Sequence, residues 1–220
     1  MKVLRELFFP YRCCGCLSVH GTGSEPICAN CLLKLEYTYW KMDQKNELYE
    51  QLSSSVKLNA ATAVLWFEKN KVSQKLIHAH KYRNQPQTGK FLAALCWEVL
   101  ATDRYDFISC IPSHKHTLRT RGYNQAMEIA EHLTSHCNAE ILPNLVKRVK
   151  RKKSQTQYKK ALREKNLIGA FALDETSQIS GKKLLVIDDV YTTGATMRSY
   201  LQTLEPLQCE IDVLIMARAR

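Results

Sequence analysis

Leu184-Leu185-Val186-Ile187-Asp188-Asp189-Val190-Tyr191-Thr192-Thr193-Gly194-Ala195-Thr196 is the stretch on which the reading of this chain turns. Four continuous apolar residues without alternation suit a central strand buried on both faces. Two adjacent carboxylates then fall where that strand ends, at the carboxyl edge of a sheet, where open α/β folds place ligands. Thr192, Thr193, Gly194, Ala195 and Thr196 follow, small and hydroxylated, and lead into a helix. The first N–H groups of a helix have no partner of their own, and its dipole adds partial positive charge, so an anion is favoured there. Gly194 admits close backbone approach to a phosphate, and the three threonines add hydroxyl donors. Ionised carboxylates only accept hydrogen bonds, so a vicinal diol is their natural partner. Phosphate on the threonine turn and diol on Asp188 and Asp189 together describe a ribose 5-phosphate. Two buried, unpaired carboxylates would cost about 3 kcal/mol or more, which makes a purely structural acidic pair expensive. The plain alternative is an acidic pair ahead of an ordinary threonine-capped helix.

Working outward, residues 63–67, 107–111, 183–187 and 211–217 read as strands, with a further one within 168–173. Residues 72–82, 91–100, 123–136 and 195–204 follow helical spacing. Strands separated by helices imply an α/β fold, a mostly parallel sheet with helices on both faces. Asn124 is placed to cap the helix that follows it. Residues 1–36 are cysteine-rich with little periodicity, 37–60 are polar and read as a connector, and 61–220 form the α/β domain. Cys96, Cys110, Cys137 and Cys209, scattered on apolar elements, read as small core residues. His78 and His80 lack ligand spacing.

Charge and cysteine usage narrow the functional classes. Lys and Arg number 32 against 21 acids, a formal net charge of +11. Ten of the basic residues and one acid lie within 147–165, so that stretch carries +9 and the rest of the chain is close to neutral. Charge concentrated in this way suits phosphates, on a nucleotide or on a nucleic-acid backbone, or else makes a solvated surface loop. No run approaches the ~18 apolar residues of a membrane span. The first ten residues lack a long apolar segment with a small-residue cleavage site, so no secretory signal is expected. Nine cysteines without such a signal point to the reducing cytoplasm and a metal site. Cys13-x2-Cys16 and Cys28-x2-Cys31, with 11 residues between the pairs, offer four thiolates of the structural Zn2+ kind, a closed site without an open position for catalysis. Cys14 is a spare thiol, and spacing favours Cys13 over it.

The 184–196 run resembles the 5-phosphoribosyl-1-diphosphate motif of type I phosphoribosyltransferases. The whole chain resembles the ComF family, competence-associated proteins that join a cysteine finger to such a domain. Three other segments carry the likeness over nearly the full length. They are Arg119-Thr120-Arg121-Gly122-Tyr123-Asn124-Gln125-Ala126, Arg163-Glu164-Lys165-Asn166-Leu167-Ile168-Gly169-Ala170-Phe171 at the end of the basic stretch, and the cysteine pairs. The chain departs from the family in two places. Cys110 stands where the family often has the first proline of Pro-x-Pro, and the finger lacks the extra cysteine pairs of many relatives.

The resemblance implies Asp188 and Asp189 as the catalytic pair holding the ribose of a phosphoribosyl small molecule. It also implies a diphosphate-binding loop after Ile111, with Lys115, Arg119 and Arg121 as candidates, and Mg2+ accompanying the diphosphate. The 147–165 stretch then matches a lid bearing Arg163; equally, it suits contacts to single-stranded DNA. A role in natural transformation on the cytoplasmic side, beside protein partners of the DNA-uptake machinery and without membrane insertion, is implied by the family alone.

Overall fold

The structure is a computed structural model that describes residues 12–19, 25–82, 86–100, 105–113, 118–120, 122–149, 170–174 and 179–220. Its helices, in chain order, are α1 (Ala29–Leu32), α2 (Glu47–Ser53), α3 (Val72–Tyr82), α4 (Pro86–Trp97), α5 (Gln125–Leu133) and α6 (Ala195–Leu204). Its strands are β1 (Ala60–Phe67), β2 (Phe107–Cys110), β3 (Glu140–Ile141), β4 (Val146–Arg148), β5 (Phe171–Leu173), β6 (Lys183–Tyr191) and β7 (Glu210–Ala219). Five strands form one sheet in the order β1-β7-β6-β2-β3, every neighbouring pair parallel. β4 and β5 make a separate antiparallel ribbon.

The apolar run in β6 accounts for the architecture. Side chains alternate across a strand, so Leu185 and Ile187 enter one hydrophobic cluster and Leu184 and Val186 the other. The first cluster packs α3, α4 and α5 through residues such as Leu76, Leu92 and Ile129. The second packs α2 and α6 through Leu48, Leu52, Met197 and Leu201. Both faces of the central strands are therefore dry, as a parallel sheet requires.

The structure adds detail at three places. β6 runs on past Ile187, and Asp188, Val190 and Tyr191 still pair with β7, so the carboxylates lie within the last turns of the strand rather than beyond it. The polar 37–60 stretch holds α2, capped by Asn46, whose side chain accepts from the N–H groups of Leu48 and Tyr49. Just before it, Tyr37 pairs with Leu65, and Trp66 donates to the carbonyl of Glu36, which covers the outer edge of β1. The ribbon brings Val149 N–H to Ala170 C=O at 2.9 Å, so these two residues lie side by side.

Candidate functional site

A cavity of about 250 Å³ opens at the carboxyl edge of the sheet. Ile111, Pro112 and Ser113, which follow β2, form one wall, and Asp188, Asp189, Val190 and Tyr191 of β6 form the floor. Thr192, Thr193, Gly194, Ala195, Thr196 and Met197 form the opposite wall, with Asn124, Gln125 and Arg148 completing the lining. All seven residues that the sequence singles out around Gly194 thus meet at one cavity.

The turn after β6 owes its shape to Gly194. Its φ of 73° lies in the left-handed region, and it serves as N-cap of α6 without a side-chain bond. A Cβ there would stand 2.2 Å from the Tyr191 hydroxyl and 2.8 Å from Arg198 Nη1. Tyr191 is buried and its hydroxyl donates to Gln51 Oε1 at 3.3 Å, so the ring is not free to yield. Arg198 Nη2 donates to the Thr193 carbonyl at 2.9 Å, which holds the turn closed from behind while Thr192 and Thr193 stay exposed.

The two carboxylates are not equivalent. Asp188 accepts the Asp189 N–H on Oδ1 at 2.9 Å. Burial, and then the neighbouring Asp189 charge, push its carboxyl up to about 7. Asp189 pairs with Lys81 Nζ on Oδ2 at 2.7 Å, the lysine coming from the last turn of α3. Asp189 thus has an internal counter-ion, so the cost of a buried, unpaired carboxylate does not apply to it. One oxygen of each acid remains without a hydrogen-bond partner among the described residues.

Arg148 also lines the cavity, and its charge acts on Asp188. It sits on β4 with its guanidinium 4.8 Å over the Phe171 ring, and its Nε is buried without a hydrogen-bond partner among the described residues. Burial lowers its affinity for its proton, and the Asp188 charge opposes that. Sequence reasoning placed Arg148 in the basic run without distinguishing it from nine similar residues. It missed Lys81 altogether, because its partner lies 108 positions away. Asn124 behaves as its spacing suggests, accepting from Ala126 N–H at 3.2 Å and donating to the Ile111 carbonyl at 3.0 Å, which ties the end of β2 to the start of α5. Arg119 is exposed and does not line the cavity. Lys115, Arg121 and Arg163, and most of the 147–165 stretch, lie outside the described residues.

At the other end of α3 the four cysteines come together. The Sγ atoms of Cys13, Cys16, Cys28 and Cys31 all lie within 4.8 Å of one another, and Cys14 is not of the set. Gly15 N–H and Cys28 N–H both donate to Cys13 Sγ at 3.3 Å, an arrangement that supports a thiolate. Ser18, within hydrogen-bond reach of Cys16 Sγ, pulls that thiol down to about 6, whereas burial pushes Cys31 up. Gly15 is a packing requirement, since a Cβ there would meet Cys31 Sγ at 2.7 Å and Val72 Cγ1 at 3.3 Å. The four thiols suit a single ion of tetrahedral preference.

The phosphoribosyl transferase domain family matches residues 117–219. Competence protein F of Haemophilus influenzae is 30% identical over 153 residues, 66% of this chain and 67% of that protein. DNA utilization protein YhgH of Escherichia coli is 28% identical over 136 residues, 59% of each chain. Among solved structures, an adenine phosphoribosyltransferase from Thermoanaerobacter pseudethanolicus is 10% identical, covering 77% of this chain and 98% of the other, with a TM-score of 0.41. Among the described residues, no helix is long and apolar enough to cross a membrane.

Proposed function

We propose a sugar-phosphate function for this chain, which belongs to the ComF family of phosphoribosyltransferase-domain proteins: it binds 5-phosphoribosyl-1-diphosphate or ribose 5-phosphate. One observation carries the reading, the single cavity that joins Asp188 and Asp189 to the threonine turn and the start of α6. The 5-phosphate would sit against Thr192, Thr193, Gly194, Ala195 and Thr196, where N–H groups and the helix dipole favour an anion. The ribose hydroxyls would donate to the two carboxylates. Arg148 faces the same space, and Lys115, Arg119, Arg121 and Arg163 are the further cations assigned to the diphosphate.

With such a ligand the reaction class is displacement at C1. The C1–O bond to diphosphate breaks, the diphosphate leaves with the electron pair, and a nitrogen nucleophile forms the new C1–N bond. This chemistry asks for positioning and for negative charge near an oxocarbenium-like centre rather than for a covalent nucleophile. Asp188 and Asp189 supply both. Mg2+ would arrive with the diphosphate and offset its charge. Zn2+ at Cys13, Cys16, Cys28 and Cys31 would be structural, since four thiolates leave it no open position.

Calorimetric titration with 5-phosphoribosyl-1-diphosphate and magnesium, followed by a diphosphate-release assay against a panel of bases, tests this. Joint Asp188→Asn and Asp189→Asn substitution should abolish binding, and retained affinity would count against the assignment. Binding without turnover favours a second reading, a non-catalytic adaptor of transformation that holds single-stranded DNA. The names of the relatives and the concentrated charge of the 147–165 stretch support that alternative. It requires DNA affinity that falls steeply with salt and weakens when Lys150, Arg151, Lys152 and Lys153 are neutralised.

A further inference from the structure

We propose that Lys81 is a positioning residue of the ribose site: it holds Asp189 so that the carboxylate pair offers one free oxygen each to a vicinal diol. The inference rests on the sugar-phosphate reading above and deepens it. Asp188 Oδ1 is taken by the Asp189 N–H at 2.9 Å, and Asp189 Oδ2 by Lys81 Nζ at 2.7 Å. Two acceptors, Asp188 Oδ2 and Asp189 Oδ1, remain without a hydrogen-bond partner among the described residues, and a cis diol brings two donors. Lys81 does not line the cavity, so its influence passes through Asp189.

The ion pair also answers an electrostatic difficulty. Two adjacent carboxylates repel each other, and burial beside Asp189 already favours the neutral form of Asp188. Lys81 and Arg148 both oppose that shift. The lysine is well held for the task. It lies in the last turn of α3, where the helix dipole favours a cation. Its side chain is only 16% exposed. The preceding residue, His80, contacts the Gln125 carbonyl through Nε2 at 3.2 Å, and the Tyr123 hydroxyl donates to the His80 carbonyl. The start of α5 thus fixes the end of α3.

A 2-deoxy sugar would leave one of the two acceptors desolvated and unpaired, a loss that polar sites register strongly. The protein is titrated calorimetrically with ribose 5-phosphate, 2-deoxyribose 5-phosphate and inorganic phosphate, alongside Lys81→Met, Lys81→Arg, Asp189→Asn and Lys81→Met/Asp189→Asn. The wild type should prefer ribose 5-phosphate. Lys81→Met should lose about tenfold or more in ribose 5-phosphate affinity and most of its preference over the deoxy sugar, while inorganic phosphate binding stays and reports an intact fold. Lys81→Arg should restore much of the preference, and in the Asp189→Asn background removal of Lys81 should add nothing. Wild-type discrimination in Lys81→Met, or an equal loss for all three ligands, overturns the role of Lys81. A wild type that binds neither sugar phosphate overturns the sugar-phosphate reading itself.

Discussion

Gly194→Ala isolates the shape of the anion-binding turn from its charge. A residue with a Cβ in the left-handed region costs about 1–2 kcal/mol. The new methyl would also lie 2.2 Å from the Tyr191 hydroxyl and 2.6 Å from its Cζ. Tyr191 is 3% exposed and bonded to Gln51, so relief requires either the ring or the turn to move. Overpacking of this kind adds about 1–3 kcal/mol, for a total of about 2–5 kcal/mol. A domain stable by about 5–15 kcal/mol survives such a loss. With a urea slope of about 2 kcal/mol/M, the midpoint should fall by about 1–2.5 M. Gly194→Asn separates the two contributions, because asparagine tolerates the left-handed region yet carries the same Cβ, so its loss should be smaller. Binding of inorganic phosphate or ribose 5-phosphate should weaken in both variants, as the first N–H groups of α6 shift with the turn. A midpoint within about 0.3 M of wild type, with unchanged phosphate affinity, would refute the reasoning.

Other expectations concern protons, metal and the leaving group. Asp188 gains its proton at about 7 instead of its ordinary 3.8, so between these values the folded chain holds more protons than the unfolded one. Its contribution to stability is therefore greatest below about pH 4 and declines as pH climbs toward 7. Sugar binding runs the opposite way, because hydroxyls donate to the ionised form. Affinity should increase from about pH 6 to about pH 8 with proton release, seen as a buffer-dependent binding enthalpy. Chelation should lower the melting temperature and open Cys13, Cys16, Cys28 and Cys31 to a thiol reagent; an unchanged thiol count excludes a bound metal. Arg148→Met should weaken 5-phosphoribosyl-1-diphosphate about tenfold or more and ribose 5-phosphate less, through Asp188 alone, and an equal loss for both would place Arg148 elsewhere in the site.

The parts of the molecule that were legible in the sequence are those with local causes. The apolar run before Asp188 announces a strand dry on both sides, and Asn124 announces a helix start, because burial and capping act over a few residues. The two C-x2-C pairs likewise declare themselves, since each turn alone brings two sulfurs together. What stayed hidden depends on distance along the chain. α2 buries only Leu48 and Leu52 from a polar stretch, too weak a pattern to register. β3 is two residues long and exists because β2 runs beside it. Lys81 looks like any lysine at a helix end until the fold brings Asp189 to it, and Arg148 stands out from Lys147, on the same ribbon, by lying over Phe171 and lining the cavity.

One helix, α3, touches both candidate sites, the cysteine cluster and the cavity at the sheet edge. Near its start, Ser73 N–H donates to Glu36 Oε2 at 3.2 Å, and Lys75 Nζ reaches the Gly15 carbonyl between the cysteines at 3.0 Å. Its last turn presents Lys81 to Asp189 at the cavity. Eleven residues make a stiff strut about 16 Å long, so slackness where the thiols grip becomes misalignment where the carboxylate is steered. Any ion held by the four thiols would then be a hidden variable in every ligand titration, and purified batches should be compared only after their metal content has been assayed.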